Sequence, residues 1–157
     1  MGLAVATALT PRVGLRPVLV VGTSLAAVGI GLFTGISPGG TFLSDVLPGS
    51  LVLALGSGLV LPCLQIGAVS SVTDADAGLA SGVQQSLQQV TGAIGLAVLV
   101  SLALRRADGG LATGLEQAAA TVEGYQLAFT VGAGILVVAA LASLVLPRRE
   151  ENAVRAR

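Results

Sequence analysis

Four stretches of this chain run for about twenty residues or more without a charged side chain. They are residues 17–36 (PVLVVGTSLAAVGIGLFTGI), 46–70, 81–104 and 125–146 (YQLAFTVGAGILVVAALASLVL). A helix needs about 20 apolar residues to cross the hydrocarbon core of a bilayer. All four runs meet that length, and none contains an ionisable group apart from Cys63 and the end-placed Tyr125. The runs are continuously apolar, whereas the strands of a membrane barrel alternate apolar and polar residues. In lipid each backbone polar group must be satisfied within the protein, and a helix does so locally. The expected fold class is therefore all-α, a polytopic bundle of transmembrane helices.

Composition agrees with lipid as the main solvent. Of the 157 residues, 54% are hydrophobic and 10% are charged, and the mean hydropathy is +0.91. Soluble domains carry roughly a quarter charged residues. The basic residues are eight arginines balanced by eight acidic residues, and histidine is absent. No basic patch is interleaved with aromatics, so no nucleic-acid partner is expected. The single Cys63 has neither a disulfide partner nor a metal-ligand companion in the chain. Without histidine, the usual acid–base catalyst and commonest metal ligand is missing. The expectation is a chain that is not an enzyme and takes no metal or cofactor, with the lipid bilayer as its first partner.

The segments between the runs are short. Residues 2–10 are apolar but too short to span, and they read as the end of a truncated helix. The expectation is either a late start codon or a shortened gene. Pro38, Gly39 and Gly40 mark a turn after the first run, and Asp74 and Asp76 stand just before the third. Carboxylates there suit a helix N-terminus as caps and as partners of its dipole. In residues 107–123, Leu111, Leu115, Ala118 and Val122 recur at helical spacing. That segment reads either as a short amphipathic helix lying on the membrane face or as a plain surface loop. Residues 147–157 form a polar tail. Cytoplasmic segments collect arginine and lysine. Four spans put both ends on one side, with Arg12, Arg16, Arg148, Arg149, Arg155 and Arg157, against Arg105 and Arg106 on the other. Both ends are expected in the cytoplasm, in a plasma (inner) membrane, and the Arg105–Arg106 pair stands as an exception.

The third run opens on amides. In a helix, Ser81, Gln84, Gln88, Thr91 and Gly95 fall on one stripe, flanked by Gln85 and Gln89. Lipid tails cannot bond amides, so the stripe should face other helices, a water-filled path or the interface. Gln84 and Gln88 are candidates for a substrate path; the preferred reading is hydrogen-bonded glue between helices. Gly31 and Gly35, Gly78 and Gly82, and Gly92 and Gly95 have the small-residue spacing of close helix packing. Pro62 removes a backbone bond inside the second run and should kink that helix, as a fixed bend or as a hinge.

Residues 78–100, GLASGVQQSLQQVTGAIGLAVLV, resemble the penultimate helix of the fourteen-helix drug:proton antiporters of the major facilitator superfamily. Gly78, Ser81, Gly82, Gln85, Gln89, Gly92, Ala93, Gly95 and Ala97 match its pattern, whereas Gln88 stands where many members have Arg and Thr91 where many have Gly. LTPRVGLRPVLVVG resembles the superfamily's cytoplasmic loop motif, with Arg12, Gly14 and Arg16 at the matching positions. The resemblance implies the end of helix ten and helices eleven to fourteen, a partial C-terminal half. It also implies a parent that exchanges protons for a small apolar or cationic compound. In that family the coupling carboxylates lie mostly in the N-terminal half, so this chain is expected not to transport alone. The implied partner is the missing set of N-terminal helices, and the small-molecule substrate stays unnamed. The alternative is a small non-transporting membrane protein that assembles with a separate N-terminal half or another membrane protein. A four-helix oligomeric exporter is disfavoured because it would need an ionisable residue within the membrane.

Overall fold

The computed structural model describes residues 15–37, 39–69, 72, 73 and 75–145. Every regular element among them is helical and none is a strand, as expected of an all-α chain. Helix α1 spans Leu15–Leu32 and tightens into a single 3-10 turn at Phe33–Gly35; a π turn at Phe42–Val46 leads into α2, Leu47–Val69; α3 spans Ala77–Ala112 and α4 spans Gln117–Val145. All four helices are long and apolar enough to cross a membrane. Pro17 sits in the first described turn of α1, and Pro48 lies just past the π turn that runs into α2.

The helices do not close into a four-helix bundle. Helix α1 packs on α2 along one side and on α4 along the other, α4 packs on α3, and α2 barely meets α3. The result is an open row in the order α2, α1, α4, α3. Helix α3 packs mainly on α4, and every residue from Gln89 to Val98 is exposed.

Small residues bring α1 and α2 into backbone contact. A Cβ added at Gly29 would lie 2.5 Å from the backbone nitrogen of Leu53, and one at Gly56 would lie 2.5 Å from that of Ala26. Gly22 sits over Leu59 and Val60, and Gly49 sits against the carbonyl of Gly29. The packing face of α1 is thus Gly22, Ala26 and Gly29, a small-residue repeat at helical spacing. The spacing argument placed that face at Gly31 and Gly35. Within this chain it does not lie there, because a Cβ at either would meet nothing within 4 Å. Nine residues separate Gly22 from Gly31, about 180° around an α-helix, so the two glycines look in opposite directions. Gly78, Gly82, Gly92 and Gly95 on α3 likewise face open space in this chain.

Helix α3 has 36 residues, which makes it about 54 Å long at 1.5 Å per residue. It outruns the expected 81–104 at both ends, and α4 begins eight residues before the expected 125. The charged residues that end an apolar run do not end a helix. Residues 107–123 accordingly form no separate helix on the membrane face. They are the last turns of α3, a four-residue connection and the first turns of α4. Helix α3 stops in a Schellman motif: Leu115 N–H donates to the Gly110 carbonyl at 3.1 Å and Gly114 N–H to the Leu111 carbonyl at 3.0 Å. Gly114 has φ +88°, a left-handed conformation that glycine adopts without a Cβ penalty. Beyond the turn, Gly124 lies directly on the Ala103 carbonyl, and a Cβ at Gly110 would come 3.2 Å from that of Ala120. The expected segment 2–10, the tail 147–157, Pro38 and Asp74 lie outside the described residues.

Candidate functional site

The amide stripe of α3 divides in two. Ser81, Gln84 and Gln88 are half-buried, whereas Thr91 and Gly95 are exposed, as are Gln85 and Gln89. Ser81 turns its hydroxyl back to the Ala77 carbonyl at 2.9 Å, so it brings no free donor to the stripe. Gln84 is different: its Oε1 is buried and accepts no hydrogen bond. It lines an open groove of about 390 Å³ with Val72, Asp76, Ala80 and Val83. A second open groove, about 520 Å³, runs along the glycine side of the same helix past Gly78, Gly82 and Ser86. Leu79, Val83 and Leu87 form the ridge between them. The groove around Gln84 is lined mainly by apolar side chains, with Asp76 as its one charged residue and the Gln84 amide oxygen buried and unpaired.

Asp76 stands at the start of α3, yet its side chain caps nothing. Its Oδ2 instead accepts from the Thr73 hydroxyl at 2.7 Å, which ties the connection to itself rather than to the helix. The expected cap at this position is therefore corrected. The carboxylate still stands near the positive end of the helix dipole. Pro62 lies within an unbroken α2, next to the fully buried Cys63. Arg16 is half-buried in the first turn of α1, while Arg12 and Gly14 lie outside the described residues.

Two further contacts had no clear signal in the sequence. Gln126 Nε2 donates to the Ile36 carbonyl at 2.8 Å, satisfying a backbone acceptor where α1 gives way to the loop. One turn along α4, the ring of Phe129 stacks against Phe33 with centroids 5.1 Å apart. Phe33 is also the ring on which Gly49 rests. One end of the row is thus pinned through α2, α1 and α4 together. At the tip of the α3–α4 hairpin, Arg106 pairs with Glu123 at 2.9 Å. Among the described residues no group of three or more His, Cys, Asp or Glu could hold a metal ion.

One likeness to a known protein covers nearly the whole chain. A puromycin resistance protein of Streptomyces alboniger is 32% identical over 148 residues, 90% of this chain and 29% of the relative. A lincomycin resistance protein of Streptomyces lincolnensis is 42% identical over 95 residues, 60% of this chain and 19% of the relative. A cephamycin export protein of Amycolatopsis lactamdurans is 32% identical over 102 residues, 65% of this chain and 21% of the relative. The chain therefore spans between a fifth and a third of the length of these relatives. No protein-family model matches it, and no solved structure does. With four helices long and apolar enough to cross a membrane, and with such relatives, the chain is a multi-pass membrane protein homologous to antibiotic resistance and export proteins.

Proposed function

We propose that the chain is part of a proton-coupled efflux antiporter of the major facilitator type, one that exports an antibiotic-like small molecule across the plasma membrane. The observation that carries this reading is the likeness over nine-tenths of the chain to a puromycin resistance protein. The match to a cephamycin export protein adds outward transport as the common theme. Both chain ends would lie in the cytoplasm. The four membrane stretches hold no carboxylate, amine or imidazole in their apolar cores. Proton coupling would therefore reside in helices beyond those described. The chain would have no catalytic role and need no cofactor.

In this reading Gln84 and Gln88 lie at the edge of a substrate path or pack against helices from the rest of the transporter. Gly78, Gly82, Gly92 and Gly95, open here, would meet those helices. A transporter that encloses its substrate between two rocking halves cannot do so with four helices in a row. The chain alone is therefore expected to confer no resistance. The experiment is an immunoblot of native membranes with an antibody to the tail PRREENAVRAR, followed by drug-susceptibility tests. A band several-fold heavier than 15.4 kDa, whose loss sensitises cells to an antibiotic, supports the proposal. Resistance or proton-driven uptake from the 157-residue chain alone would overturn it.

A second reading is favoured by the bare face of α3. The chain would be a non-transporting subunit that assembles with a separately encoded membrane partner. A band near 15.4 kDa that recovers a polytopic partner in mild detergent would select this reading.

A further inference from the structure

The tip of the α3–α4 hairpin carries most of the charge among the described residues: Arg105, Arg106, Asp108, Glu116 and Glu123. Arg105 and Arg106 directly follow an apolar run, where arginine most strongly holds a segment in the cytoplasm. On the orientation proposed above, however, this tip lies on the far side. Acidic residues scattered in a loop weigh little in that bias. An arginine already engaged by a carboxylate is a different case, because the pair crosses as a near-neutral unit.

The geometry provides for such engagement. Gly124 rests on the Ala103 carbonyl and Gly110 on Ala120, so the two helices run at backbone contact into the turn. The Schellman motif at Gly114 folds them back within four residues. Arg106 and Glu123 are then brought to 2.9 Å by a hairpin that can form from local sequence alone. The side chains remain 57% and 37% exposed. An exposed pair adds little to the stability of the finished fold, so stability is a poor account of its presence.

We propose that the Arg106–Glu123 pair is a topogenic latch: it neutralises one of the two arginines while the α3–α4 hairpin inserts, and so allows the tip to cross the bilayer. The proposal rests on the orientation given above. The test places a reporter thiol at the tip, Thr113→Cys, in the full chain, with the unsubstituted chain, whose Cys63 is fully buried, as the blank. Intact cells are treated with a membrane-impermeant maleimide, and labelling is normalised to chain present in the membrane. The parent should label from outside. Glu123→Gln should cut external labelling at least fivefold, or cut accumulation of the chain to the same degree. Adding Arg106→Gln should restore it. Glu123→Gln labelling like the parent would overturn the latch. A loss that Arg106→Gln does not repair would also overturn it, because packing rather than charge would then be at fault. A parent that labels only after the membrane is opened would overturn the orientation itself, and the latch with it.

Discussion

At the scale of single residues, the packing of this chain depends on which way each glycine faces. Gly29 and Gly31 are two positions apart in one helix, yet only Gly29 touches a neighbour. Gly29→Ala would place a methyl 2.5 Å from the backbone of Leu53. Backbone cannot give way as a side-chain tip can, so the helices must separate, at a cost of about 1–3 kcal/mol. Gly31→Ala meets open space and should change stability by no more than about 0.5 kcal/mol. Reversible unfolding in mixed micelles checks both expectations. Gln126→Leu leaves the Ile36 carbonyl without its donor and should cost about 0.5–1.5 kcal/mol by the same measurement. If Gln126→Leu unfolds with the parent, the 2.8 Å bond contributes nothing. Gly31, Gly35 and the α3 glycines were readable as small-residue pairs, but spacing alone does not say which face meets a partner.

At the scale of elements, the existence and type of all four helices could be read from uninterrupted apolarity, and so could the bounds of α1 and α2; the ends of α3 and the start of α4 could not. Arg105 ends an apolar run but not a helix, because a helix leaving the membrane keeps its own hydrogen bonds in water. The stop at Gly114 did leave a signal in the sequence, glycine just past the last helical turn, in the stretch LATGLE. Helix α2 offers a prediction of its own. Pro62 has no N–H for the Gly58 carbonyl and should bend the helix there. Spin labels at the exposed Leu55 and Ile66, one on each side of the proline, should move apart when Pro62→Ala restores the bond. An unchanged distance distribution would mean that packing against α1, not the proline, sets the path of α2.

At the scale of the whole molecule, the open row is the main result. Two middle helices, α1 and α4, hold the chain together, and α3 hangs from α4 through Gly124, Gly110 and Ala120. With Gly110→Cys and Ala120→Cys combined, mild oxidation in the membrane should remove both reactive thiols, since the two Cβ positions lie 3.2 Å apart. The pair Leu55→Cys and Leu87→Cys, on helices that barely meet, should keep both thiols reactive. Oxidation of the second pair within one chain would show that the row closes in the bilayer and would place α2 beside α3. The amide stripe belongs to this scale as well. Its position on α3 was legible from helical spacing, but the spacing did not say that Gln84 would be half-buried and Gly95 exposed.

The sequence by itself determined the solvent and the class: runs this long and this apolar can satisfy their backbone in lipid only as helices. It also marked the amide stripe, the arginine exception and the absence of charge within the membrane. Only the tertiary structure decided which glycines touch, that Arg106 is answered by Glu123, and that one amide oxygen is left buried and unpaired. These are relations between segments far apart in the chain or across a turn. Helical periodicity fixes the faces of each helix, but the rotation of one helix against another is set by backbone contacts such as those at Gly29 and Gly124, which no single segment encodes.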